Sequence, residues 1–109
     1  MSEILSESRF NAMVDEVLVA IEDAVEASGA DIEFETVGGI LTLEFANGSK
    51  IIINRQTPNR EIWVAARSGG FHFRHADEAW VDTRGGLALA ERLAACILDQ
   101  GGESVRIAL

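Results

Sequence analysis

Residues 31–56 read DIEFETVGGILTLEFANGSKIIINRQ, and their reading decides the fold. Asp31, Glu33 and Glu35 alternate with Ile32 and Phe34, which is the period of a strand and puts the three acids on one face. Gly38-Gly39 turns the chain, Ile40 to Phe45 makes a second strand, and Ser49 to Gln56 a third. The turn between these two can be argued from register. A two-residue turn at Asn47-Gly48 sets Leu43 beside Ile52 and Phe45 beside Lys50. A three-residue loop of Ala46, Asn47 and Gly48 instead pairs Leu43 with Ile51, Leu41 with Ile53 and Glu44 with Lys50. The second matches apolar with apolar and joins opposite charges, so it is preferred. Leu41, Leu43, Ile51 and Ile53 then form the core face. Thr42, Glu44, Lys50, Ile52, Asn54 and Gln56 form the open one.

Working outward, Pro58-Asn59 opens a turn and a fourth strand is expected from Glu61 to Arg67. Its alternation puts Trp63 on the open side with Glu61, Ala65 and Arg67. Gly69-Gly70 follows, then Phe71-His72-Phe73-Arg74 and a short strand around Trp80-Val81. Two helical patterns flank the strands. From about Ser2 to Ala27, apolar residues recur at Phe10, Met13, Val14, Val17, Leu18, Ile21 and Val25, with Ser28-Gly29 as the stop. Leu87 to about Gln100 carries Leu89, Leu93, Cys96 and Ile97 on one side, and Gly101-Gly102 ends it. The tail, Ser104 to Leu109, is extended and partly apolar, so it is expected to pack back on the domain. Short turns imply antiparallel neighbours. The expected fold is α+β: a two-layer sandwich, two helices on one face of a five- to six-stranded antiparallel sheet, with residues 1–109 as one domain.

Charge narrows the function. The chain of 109 residues has 18 acids, 9 bases and a formal net charge of −9. Eleven of the acids and one base lie in residues 1–44, so the excess is N-terminal. Such a field repels a phosphate backbone and attracts cations and basic protein surfaces, so no nucleic-acid partner is expected. No basic segment followed by an apolar stretch opens the chain. The most apolar helical stretch is broken by Glu91 and Arg92, so neither a secretory signal nor a membrane span is expected. The expected location is the cytoplasm. A single cysteine, Cys96, excludes an internal disulfide, and its place on the apolar helix face reads as core.

The acids form a candidate site. Glu22, Asp23 and Glu26 crowd the end of the first helix, Asp15 and Glu16 lie on the same solvent side, and Asp31, Glu33 and Glu35 follow directly. An i,i+4 like-charge pair such as Glu22–Glu26 costs roughly 0.2–0.5 kcal/mol. Each anion near a helix C-terminus costs about 0.3–1 kcal/mol more. No lysine or arginine is expected to relieve any of them. Such a cluster is either a solvated face or a surface for a cation, a basic partner, or both. Exposed carboxylates without a cage imply weak, plural sites for hard cations, and ferric iron, Mn²⁺ and Ca²⁺ fit, with ferrous iron borderline. Trp63 beside Asn54 and Gln56 on an open sheet face has the character of an interaction hot spot. His72 and His75 lack metal-pair spacing and read as surface histidines. No Glu-x-x-His di-iron motif, nucleophile–base pair or phosphate loop occurs, so no catalytic residue is assigned and no enzyme is expected.

The segment Asn47 to Gln56, then Pro58, then Ile62-Trp63, resembles the sheet signature of the frataxin family, and Gly69-Gly70-Phe71-His72-Phe73 with Trp80 continues it in the style of the bacterial CyaY branch. The resemblance covers nearly the whole chain. It implies a helix–sheet–helix sandwich that binds Fe²⁺ and Fe³⁺ weakly at surface carboxylates and serves iron–sulfur cluster assembly as iron donor or sensor. The implied partners are the cysteine desulfurase, which it regulates, and the iron–sulfur scaffold protein, and a monomer is implied without metal. The family's metal residues map onto Glu22, Asp23, Glu26, Asp31, Glu33 and Glu35, with Asp15 and Glu16 as weaker candidates. Its partner residues map onto Asn54, Gln56 and Trp63. Ala27 and Ala30 stand where some members carry further acids, which makes the ridge sparser here. The alternative is an acidic protein-interaction module with incidental metal binding.

Overall fold

The fold is taken from a computed structural model, which describes residues 5–109. Helix α1 spans Glu7–Ser28. Its start differs from the expected Ser2: Ser6 adopts an extended backbone and its hydroxyl accepts from Arg9 N at 3.1 Å, which caps the helix, while residues 2–4 lie outside the described residues. Gly29 closes it in the left-handed region at φ 70°. Six strands follow: β1 Ile32–Val37, β2 Ile40–Phe45, β3 Lys50–Gln56, β4 Glu61–Ala66, β5 Gly69–Ala76 and β6 Ala79–Asp82. A single 3-10 turn, Thr57–Asn59, joins β3 to β4, and helix α2, Leu89–Gly101, ends the series.

The sheet is an antiparallel meander in chain order, β1 to β6. The β2–β3 register is the one that the hydrophobic match selects: Leu43 faces Ile51, Leu41 faces Ile53 and Glu44 faces Lys50. Both helices cover one face. Phe10, Val14 and Ile21 from α1, Leu93 and Ile97 from α2, and Leu41, Ile53, Ile62 and Phe73 from the sheet are all fully or almost fully buried. Val105 and Ile107 of the tail join this core, as their alternation predicts. Cys96 is buried in it.

Two further boundaries differ from the sequence reading. Strand β4 stops at Ala66, and the turn falls at Arg67-Ser68, so Gly69-Gly70 belong to β5. Arg67 therefore leaves the open face: its backbone N donates to Gln100 Oε1 at 2.8 Å and its guanidinium to Asp99 O at 2.9 Å, at the C-terminal end of α2. A cation there meets the negative end of the helix dipole. Helix α2 begins at Leu89 rather than Leu87, because Val81 and Ala88 still form a β-bridge. Gly101 is required by packing, since a Cβ there would lie 2.7 Å from the Phe45 ring. Buried Gln100 ties the same helix end to the sheet through Ser49 Oγ at 3.1 Å and Lys50 O at 3.2 Å.

Candidate functional site

The acids divide between two surfaces. Strand β1 is an edge strand and lies along α1, where the Thr36 hydroxyl hydrogen-bonds a carboxylate oxygen of Glu22. Asp23 and Glu26 are exposed on the same helix. Glu33 and Glu35 are also exposed, but register puts them opposite Glu44 and Thr42, so they face the open side of the sheet. Asp31 sits between, at the corner, and its backbone N donates to Glu103 Oε2 at 3.1 Å. The six acids thus form a band around the β1 edge rather than one cluster. Among the described residues, no group of three or more His, Cys, Asp or Glu is placed to hold a metal ion together. The donor chemistry suits hard cations, and the spacing makes each contact an open one of one or two carboxylates.

Asp15 departs from the expected unrelieved acids. Arg55 Nη2 lies 2.6 Å from Asp15 Oδ1, and Nη1 donates to Asn11 Oδ1 at 2.9 Å. Arg55 belongs to the core-facing side of β3 and reaches out beneath Gly39 to meet helix α1. A Cβ at Gly39 would lie 3.1 Å from its Nε, and φ there is 79°. Glu16 lies between the two sides of α1: it lines a groove with Met13, His75 and Trp80, and a shallow hollow with Asp15 and Asp23.

The second surface is the open face of β3, β4 and β5. Asn54 stands opposite Trp63, and Gln56 opposite Glu61, so the three partner candidates are neighbours. Sequence reasoning missed what holds Trp63. Its ring stacks on His72, with centroids 4.2 Å apart and planes within 8°. Its Nε1 donates to Glu61 Oε1 at 2.8 Å, while Arg74 Nη2 donates to Glu61 Oε2 at 2.7 Å. Glu61 is only 6% exposed. Burial by itself raises its pKa, but the hydrogen bonds from Trp63 and Arg74, with the charges of Arg74 and His72, outweigh that and hold the carboxyl below its ordinary range. A two-residue offset from Glu61 to Trp63 was visible in sequence. The pairing with His72 and Arg74 depends on the turn at Arg67-Ser68, and a turn at Gly69-Gly70 would have shifted it. His75 points to the helix-covered side, edge-on to Trp80.

A two-layer sandwich with one face covered by helices, an acidic edge and an aromatic-centred open face defines a small α+β sandwich protein. A family model, the frataxin-like domain, matches residues 3–103, and the chain belongs to that family. It is 49% identical over 104 residues to the iron–sulfur cluster assembly protein CyaY of Paraburkholderia phymatum, covering 95% of this chain and 99% of that one. It superposes on a frataxin from Psychromonas ingrahamii with a TM-score of 0.91 at 36% identity, covering 96% and 100% of the two chains. A trimeric frataxin of the yeast Saccharomyces cerevisiae, complexed with ferrous iron, matches at a TM-score of 0.68 and 28% identity, covering 94% and 92%. The bacterial CyaY branch expected from Gly69 to Phe73 with Trp80 is thus borne out. The curated relatives are named for iron–sulfur cluster assembly, and none of those names is an enzyme's. Among the described residues, no helix is long and apolar enough to cross a membrane.

Proposed function

We propose that this chain is an iron-binding accessory protein of iron–sulfur cluster assembly, acting in the cytoplasm as a monomer when metal-free. The observation that carries the reading is near-full-length identity of about one half to proteins named for that assembly. Iron is cargo in this reading. Glu22, Asp23, Glu26, Asp31, Glu33 and Glu35 meet Fe²⁺ or Fe³⁺ weakly, one or two carboxylates at a time, and give it up readily because no cage closes. Asp15 is the poorer candidate since Arg55 already neutralises it. Asn54, Gln56 and Trp63 bind the cysteine desulfurase, which the protein regulates, with the scaffold protein as a further partner. A planar stack already held in place loses little entropy on docking.

An anaerobic Fe²⁺ titration followed by amide NMR tests the metal half. Signals between Glu22 and Glu35 should broaden while those of His72 and His75 persist. For the partner half, Trp63→Ala should weaken desulfurase binding about tenfold or more. A second reading, an interaction module whose acids face a basic partner, is favoured by the lack of a three-donor cluster among the described residues. Amides that ignore excess iron would select it.

A further inference from the structure

Strand β6 is shorter than its neighbour. Its last partner is Asp82 opposite Phe73, and beyond it only Thr83 N reaches β5, donating to His72 O at 2.9 Å. The chain then swings away through Thr83–Gly86 towards α2. A pocket of about 310 Å³ opens in the gap, lined by Phe71, His72, Asp82, Thr83, Arg84 and Arg92, with glycine backbone beside them. It is remote from the acidic band, which follows the opposite edge of the sheet.

Its charge is opposite to that of the chain. Arg92 lies over the Phe71 ring, with its guanidinium carbon 4.5 Å from the centroid, and its Nε is buried without a hydrogen-bond partner. Neither Arg84 nor Arg92 forms a side-chain hydrogen bond or ion pair among the described residues, although the chain has twice as many acids as bases. The pocket's own carboxylate, Asp82, accepts at Oδ1 from Arg84 N at 2.7 Å and Gly85 N at 3.3 Å, which fixes the loop that carries Arg84, and its charge offsets only part of that of Arg84 and Arg92. The lining thus sets two guanidiniums against one carboxylate, with Thr83 and the His72 ring, itself stacked on Trp63, beside them. Guanidinium forks match the planar paired oxygens of carboxylates and phosphates.

We propose that this pocket is an oxyanion site, taking a carboxylate or phosphate group between Arg84 and Arg92, with His72 at its mouth. Because His72 also stacks on Trp63, an occupant is sensed at the edge of the open face. The group can come from a small polyanion or from an acidic side chain of a bound protein segment.

The test is an amide NMR titration of the metal-free protein with citrate, inorganic phosphate and a glutamate-rich peptide, at constant ionic strength. At least one probe should shift Gly70, Thr83 and Gly85 saturably, while Asp23 and Glu26 stay still. Tighter binding of citrate or phosphate identifies a small-molecule source, and tighter binding of the peptide a protein one. Arg84→Gln and Arg92→Gln should each weaken the response about tenfold, the size expected for one charge-assisted hydrogen bond. Arg84 is exposed, so its variant keeps the fold and decides the matter even if loss of the Phe71 contact unfolds the other. No saturable shift with any probe, or equal affinity in Arg84→Gln, overturns the proposal.

Discussion

The β1 edge and the Trp63 face use carboxylates in opposite ways. At the edge, six acids stand on α1, β1 and the turn between them; of their carboxylates only that of Glu22 has a hydrogen bond, from the Thr36 hydroxyl, and none has a cation within ion-pair distance among the described residues. On the open face, one carboxylate, Glu61, is buried and collects an indole, a guanidinium and a nearby imidazole. The first arrangement makes a field and costs stability. The second makes a rigid shape, since a buried charge survives only when it is hydrogen-bonded and paired. Attraction without shape suits a mobile cation. Shape with one fixed aromatic platform suits a protein surface.

The sharpest way to break this contrast is Glu61→Ala. It leaves the indole Nε1–H and Arg74 without their acceptor, and should cost about 2–3 kcal/mol in urea unfolding, with a change in tryptophan emission. An unchanged stability would mean that the cluster is decoration on a surface held by other contacts. Acid should weaken the same contrast. The folded carboxyl lies below its ordinary value of 4.5, so its stabilisation is fully present above that pH and fades as pH falls through the folded value. The gap between wild type and Glu61→Gln should thus be widest near neutrality and close in acid. Asp82, held down by the backbone N–H groups of Arg84 and Gly85 against the effect of its burial, adds a loss of the same sign below its ordinary 3.8.

Arg55 bridges the two regimes, since it leaves the sheet to neutralise one acid of α1. Arg55→Met keeps the stem and removes the head, and should cost about 1–2 kcal/mol in a thermal melt. It should also extend the acidic band by one residue, strengthening any Fe²⁺ response at Asp15. The smallest effect has the opposite sign. Asp23→Asn with Glu26→Gln removes repulsion and unfavourable dipole contacts, and should stabilise by up to about 1 kcal/mol. Glu22 is left in place because it has the Thr36 hydroxyl as a partner. Added salt should narrow the difference between this variant and the wild type by screening. A loss of stability in the double variant would show that Asp23 or Glu26 has a structural task.

Much of the molecule was legible before folding. Alternation in residues 31–56 supplies strands and faces, and hydrophobic matching alone selects the β2–β3 register. Heptad-like spacing from Phe10 to Val25 supplies the helix and its buried stripe. These are local or nearest-neighbour properties, and chemistry a few residues apart decides them. The acidic band was likewise visible as composition, because no base interrupts it. What stayed hidden was who meets whom across the sheet. Arg55 and Asp15 are 40 residues apart, Glu61 and Arg74 are 13, and Arg92 and Phe71 join different elements. Whether an acid is free or neutralised, and whether a tryptophan swings or is clamped, depends on these long pairings. They follow from a single two-residue turn at Arg67-Ser68 and from the packing of both helices on the sheet. Sequence by itself determined the layers, the core and the sign of the charge, since each rests on residues close along the chain. Only the tertiary structure decided which charges are paired, because pairing is set by distance in space.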